Sequence, residues 1–246
     1  MFNGKVSFVA KINGTGLTFP SFEFISNVPG ADKVEIKGPK GDEIRSTVHV
    51  ASVATHDEGR SLAAKVNTHA VNRIAFFHSI AIENARSTGD SFSPLKTQHG
   101  VHAEAATVTM FMEVGGDDKL SIPADRLKTE LEEQAPPGEQ NFGFFRAALQ
   151  SVSPVEKFMH LYNILLMLYN DLQADVDAFI VGEDPAVPQT QCPHKGMGIM
   201  ETIYTRLRNE FAHRRAGANL DNTKDEMAKR LGALVVLTKR AIELHP

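Results

Sequence analysis

A single cysteine, Cys192, stands among the 246 residues. No disulfide can form within the chain, and a reducing compartment is the expectation. Long apolar runs are missing as well. The longest, Ile164 to Tyr169, falls far short of the roughly 20 residues that a membrane-spanning helix needs. The start, Met1-Phe2-Asn3-Gly4-Lys5, has no basic stretch followed by an apolar one. No secretory signal is expected, and the cytoplasm is the expected location. There is no excess of positive charge either: 26 Lys and Arg stand against 30 Asp and Glu, for a net charge of -4. Such a balance excludes a protein that coats nucleic acid non-specifically, which needs a basic field, but leaves room for a small basic site. No GxGxxG, Walker or GxSxG pattern occurs, and no Ser-His-Asp arrangement is signposted. Gly14, Gly16, Gly38 and Gly41 read as turn glycines rather than a phosphate loop.

What is present is ordinary for a globular protein: 42% hydrophobic and 23% charged residues, in a chain long enough for one large domain or two modest ones. The pattern changes along it. Lys5 to Ile12 alternates, with Val6, Phe8, Ala10 and Ile12 on one side. Phe22 to Ile25, Val34 to Ile36 and Ile44 to Ala54 are further strand candidates, separated by Gly and Pro clusters. From Asp57 to about Ala85 the period becomes helical, with Leu62, Val66, Ala70, Ile74, Phe77 and Ala81 on one stripe. Ser87 to Pro94 reads as a loop, Val101 to Val114 as another strand, and Asp125 to Gln134 as a short charged helix. Residues 1 to 135 therefore predict an α+β domain, an antiparallel sheet with one long helix on a face. Pro136-Pro137-Gly138 marks the boundary.

Residues 139 to 246 show no strand texture. Asn141 to Gln150 is a short aromatic helix; its Phe142, Phe144 and Phe145 are read as core. Ser153 caps a second helix, with Pro154 at its first position and Glu156 completing a capping box. Its apolar face includes Tyr162 and Tyr169, read as core rather than as stacking platforms. Gly182 to Gly198 is a loop. A third helix spans about Ile199 to His213. Thr223 and Glu226 suggest the cap of a last helix. The prediction is a four-helix bundle.

The segment with chemistry is Arg208-Asn209-Glu210-Phe211-Ala212-His213. Arginine is always charged and grips two phosphate oxygens, histidine moves protons near neutrality, and an asparagine four residues before a histidine can reach it along a helix. Spacing alone is a poor test: Arg73 and His78 repeat it in the first helix with an apolar residue after the arginine, a match read as chance, and His69 and His78 are read as surface or packing residues. Five residues put Arg208 and His213 about 140° apart on a straight helix. They converge only if the helix frays near Ala212 or a second subunit completes the site. Cys192 and His194 offer two metal ligands where a structural zinc needs four, and His99 and His102 could join only by an unusual fold. No metal and no cofactor are expected.

The Arg208-Asn209…His213 motif, in a third helix between a long apolar helix and a final one, resembles the signature of HEPN domains. The resemblance covers the C-terminal half. It implies a helical bundle that dimerises with both motifs in one cleft, and metal-independent RNA cleavage leaving a 2′,3′-cyclic phosphate. In this chain Arg208, Asn209 and His213 would then be catalytic, with Arg206, Arg214 and Arg215 lining a basic RNA-binding cleft. Non-catalytic members serve as interaction modules, and others pair with nucleotidyltransferases, of which this chain shows no motif. The two-part layout also resembles the bacterial MauJ-like group, named for methylamine utilisation. The partners expected are RNA and a second copy of the chain, with no membrane.

Overall fold

The computed structural model describes residues 1–13, 17–95, 120–134, 136–193, 198–215 and 217–245. The chain divides into two compact units, Met1–Gln134 and Ala135–Pro246. Together they make an α+β protein, with a sheet-bearing first unit and a mainly helical second one. Among the described residues, no helix is long and apolar enough to cross a membrane.

In the first unit, β1 (Phe2–Asn13) lies inside an antiparallel sheet. On one side it pairs with β5 (Glu43–Val53), which pairs with β4 (Ala31–Lys40), which pairs with β3 (Phe22–Ile25). On its other side β1 pairs with β6 (Ala81–Ile82) near Ile12 and with β7 (Arg86–Pro94) over Phe2 to Val9. A two-residue parallel pair joins β2 (Leu17–Thr18) to β8 (Leu120–Ser121). The alternation on β1 has its expected result: Val6, Phe8, Ala10 and Ile12 are buried, in one cluster with Val48, Val50, Val66 and Ile74. β7 corrects the loop expected at Ser87 to Pro94. All its residues but Phe92 are exposed, so it carries no apolar alternation, and backbone pairing with β1, together with Phe92 packed against the core, makes it a strand. The strand expected at Val101 to Val114 lies outside the described residues.

α1 (His56–His78) starts at Thr55, whose side chain accepts from Glu58 N at 3.1 Å. It stops well before Ala85, because Ser79 takes a left-handed conformation (φ 53°) and Ile80 N donates back to Ala75 O. Ala81 continues the apolar period only by accident; it belongs to β6. α2 (Ala124–Glu132) packs on α1 through two residues that the sequence offered as a chance motif. Arg73, 1% exposed, donates Nη1 to the carbonyls of Glu130, Leu131 and Glu133 at 3.1, 2.9 and 2.6 Å. A cation thus caps the negative end of a helix. His78 Nε2 lies 2.7 Å from the Glu130 carboxylate, which also accepts from Arg126. Burial raises the Glu130 carboxyl, but the hydrogen bonds and charges of His78 and Arg126 outweigh it and hold the group below its ordinary value. The Arg73–His78 spacing is therefore architectural. His69 is half-buried.

The second unit begins with a 3-10 turn at Glu139–Asn141, followed by α3 (Phe142–Gln150) and α4 (Pro154–Leu168). Ser153 caps α4 as expected, with Pro154 in its first turn. Phe142 and Phe145 are buried, whereas Phe144 is 55% exposed. Tyr162 is buried, and Tyr169, half-buried, packs against Phe179 and His245. α5 (Gln173–Glu183) adds a helix the periodicity did not reveal, because only Val176 and Ile180 are buried on it. β9 (Gln189–Gln191), inside the expected loop, and β10 (Met200–Thr202), inside the expected third helix, pair as a short antiparallel hairpin, each too short to show a period. They correct the all-helical reading and shift the start of α6 (Ile203–His213) away from Ile199. α7 (Leu220–Leu244) packs along α4 and α6. Its cap is Asn219, which accepts from Asp221 N and Asn222 N at 3.0 and 3.2 Å, not the expected Thr223.

Gly138, next to the 3-10 turn, has φ 73°, and a Cβ there would sit 2.1 Å from the backbone oxygen of Ile242. Left-handed strain and the clash act together, and backbone cannot move as a side-chain tip can. Gly138→Ala is expected to cost about 2–4 kcal/mol, read from the denaturant midpoint. A loss below about 1 kcal/mol would mean that the α7 end gives way easily.

Candidate functional site

α6 is fixed at its first turn by a neighbour the sequence did not point to. Thr202 is its N-cap, and its hydroxyl accepts from Thr205 N at 3.4 Å. Asp177 of α5 gathers the rest: its Oδ1 accepts from Thr202 N at 3.0 Å and from the hydroxyls of Thr202 and Thr205 at 2.6 Å each. Tyr162 of α4 hydrogen-bonds Thr205 Oγ1 at 2.6 Å. Burial pushes the Tyr162 phenol well above its ordinary value, so it stays neutral. Burial also raises the Asp177 carboxyl, a rise that the Thr202 and Thr205 hydrogen bonds reduce without cancelling.

That shift has a sign. An acid held more tightly protonated when folded favours the fold below its unfolded pKa, and loses that contribution as pH rises through the folded value. Asp177→Asn keeps an acceptor oxygen and removes the charge. Its stability is therefore expected to match or exceed wild type at neutral pH and to vary less above about pH 4. Asp177→Ala strands the donors of Thr202 and Thr205 and is expected to cost about 1–3 kcal/mol. Chemical denaturation of both variants across pH checks this; an alanine variant as stable as the asparagine variant would contradict it.

The far end of α6 carries the motif. Ile203, Tyr204 and Leu207 bury one face, and Asn209, 6% exposed, is buried among polar groups. Asn209 Oδ1 accepts from Gln173 Nε2 at 2.9 Å and from Arg208 Nη1 at 3.0 Å, and its Nδ2 donates to Glu201 Oε2 at 3.4 Å. Glu201, 3% exposed on β10, also receives both terminal nitrogens of Arg215, the second at 3.1 Å. This bidentate pair raises the Arg215 guanidinium above its ordinary value, the Glu201 hydrogen bond being the largest cause. The segment just past the helix is thereby tied back to the hairpin.

Arg208 Nη1 also lies 3.0 Å from His213 Nε2. α6 stays helical through His213, and Arg214 then turns left-handed (φ 45°). The length of the arginine side chain therefore closes the 140° gap within one chain, without fraying at Ala212 and without a second subunit. An arginine only donates, so Nε2 is the acceptor of this contact. Asn209 orients Arg208 rather than His213. Among the described residues, Arg208 Nη2 makes no hydrogen bond, and Nε is buried without one. The result is an imidazole on an exposed helix end beside a fixed cation with one face unengaged.

The three outlying arginines divide. Arg215 is held by Glu201, and Arg206 donates to Glu210 at 3.2 Å and to Glu226. Arg214 is exposed beside His213. Gln173, Asp177 and Glu201 all support the motif, and none carried a sequence signal, since each lies outside it on an element the periodicity did not show. Among the described residues, no group of three or more His, Cys, Asp and Glu is placed to hold a metal ion. Cys192 is buried, and His99, His102 and His194 lie outside the described residues. No protein-family model, curated protein or solved structure matches the chain.

Proposed function

We propose that the second unit is a HEPN-type RNA-processing module that cuts RNA without a metal. The observation that carries this reading is the 3.0 Å approach of Arg208 to His213, with Asn209 bracing the arginine. In this reading substrate binding turns Arg208 from His213 to the phosphate, and His213 Nε2, its lone pair then free, takes the proton of a ribose 2′-hydroxyl while the oxygen attacks the adjacent phosphorus. The bond to the 5′-oxygen breaks, that oxygen leaves with a proton from solvent, and a 2′,3′-cyclic phosphate remains. Arg208, through the unengaged Nη2, stabilises the extra negative charge on the phosphorane oxygens. Exposed Arg214 adds local positive charge. A homodimer that faces two such helix ends into one cleft, as the HEPN resemblance implies, would supply a second His213 to protonate the leaving oxygen.

The test is incubation of mixed cellular RNA with the protein in excess chelator, with end-group analysis of products and sedimentation of the protein in the same buffer. Cyclic phosphate ends in chelator support the reading. A folded dimer that cuts nothing at high concentration counts against it. A second, non-catalytic reading as an interaction module rests on a specific observation: Arg206 and Arg215 are already committed to carboxylates of their own unit. Under that reading Arg208 and His213 hold a helix end, and their loss lowers stability or dimer content rather than activity.

A further inference from the structure

The charge that Arg206 faces belongs to a groove between α6 and α7, lined by Ile203, Arg206, Glu226, Lys229 and Arg230, with a volume of about 430 Å³. That volume lies within the range of small-ligand sites. Its lining is strongly biased: three cations stand against one carboxylate, on a chain whose net charge is -4. The carboxylate, Glu226, is engaged by Arg206 Nη2, and Glu210 takes Arg206 Nη1 at 3.2 Å. Arg206 is thus fixed as a fork, with its Nε buried and unpartnered. Lys229 and Arg230 have no ion-pair partner among the described residues. Cations gathered without enough carboxylate repel one another, and an anion relieves that repulsion.

We propose that this groove binds phosphate groups. Arg206 is spent on Glu226 and Glu210, which leaves the exposed Lys229 ammonium and the Arg230 guanidinium beside it to donate to phosphate oxygens. The Ile203 side chain gives an apolar wall on which a sugar or base can rest. The groove also has a direction. At 3.6 residues per turn, Ile203, Arg206, Glu210 and His213 fall on one stripe of α6. His213 lies about 10 Å along the axis beyond Arg206. A phosphodiester strand held at Lys229 and Arg230 is thereby led toward the imidazole. Phosphate binding stands on the groove alone; RNA as its source rests on the function proposed above.

The experiment has two arms, each on the full chain, wild type beside Lys229→Glu/Arg230→Glu and the milder Lys229→Gln/Arg230→Gln, with circular dichroism to confirm folding. In the first, tripolyphosphate is titrated in a thermal-shift assay; it should raise the wild-type Tm and leave both double variants unmoved. In the second, labelled single-stranded RNA is titrated by fluorescence anisotropy over a range of salt. The charge-reversed variant should bind about tenfold or more weakly at low salt, and the slope of log K on log salt should fall by about 1.4, the value for two lost phosphate contacts on a single strand. A tripolyphosphate response with RNA binding equal in all proteins keeps the groove and assigns it to a free phosphorylated ligand. A variant-sensitive RNA response without tripolyphosphate binding keeps it for the RNA backbone. No wild-type response in either arm, or responses that the variants share, overturns the groove. Cleavage by His213 is read by neither arm, so failure of the nuclease reading and failure of the groove are separable.

Discussion

Chelator-resistant RNA cleavage is expected to fall by about 10²–10⁴-fold in His213→Ala, the usual share of a positioned proton-transfer group. The folded protein should be unaffected, because His213 is exposed and, among the described residues, its side chain hydrogen-bonds Arg208 alone. Arg208→Ala is expected to lose at least as much, since it removes the cation and leaves the Asn209 oxygen, among the described residues, with Gln173 alone. Arg208→Lys should rescue little: a lysine keeps the charge but cannot hold two neighbours with one planar head and offer another nitrogen outward. Rates measured with Tm and sedimentation separate the two functional readings. Lost cleavage at unchanged Tm and dimer content identifies a reacting group. Unchanged cleavage with a lower Tm identifies a helix-end brace and sinks the nuclease assignment of these residues.

Glu201→Ala is expected to be the most damaging substitution in the second unit. It leaves Arg215, with a side chain 11% exposed, without its bidentate partner, and it removes the acceptor of Asn209 Nδ2. Breaking one side of a buried pair costs about 3–5 kcal/mol, because the surviving charge stays desolvated. For a chain of this size the Tm should drop by roughly 10 °C. The double substitution Glu201→Leu/Arg215→Leu should recover most of that loss, because removing both charges removes the desolvation that their attraction offset. Cleavage should fall in both variants, since Asn209 then braces Arg208 from a looser position. A Glu201→Ala protein within about 1 kcal/mol of wild type would show that the pair is solvated in solution, and the bracing role would go with it.

The parts legible without coordinates are those that repeat. Val6, Phe8, Ala10 and Ile12 alternate because one face of β1 is covered, and Val66, Ala70 and Ile74 recur because one stripe of α1 is covered. The cap at Ser153 was legible because serine, proline and glutamate act on the backbone within four residues of each other. Elements with little covered face were invisible: β7 lays one residue, Phe92, against the core, and α5 buries two residues. Over-reading had the same root, since Ala81 kept the period of α1 past a left-handed Ser79 that no pattern announced.

The motif shows the same division. Residue type and order along the chain determined that Arg208, Asn209 and His213 share one helix end and that the arginine is the permanent cation. They also determined that no disulfide can form, since pairing needs two thiols. Tertiary structure alone decided that Arg208 swings onto His213, that Asn209 serves the arginine, and that Arg215 answers Glu201 while Lys229 and Arg230 answer no carboxylate among the described residues. It also decided that the Arg73 and His78 of equal spacing cap and pair with α2 instead. Spacing fixes an angle on a helix, but a long flexible side chain can turn either way, and the groups that other elements bring within hydrogen-bond reach choose which.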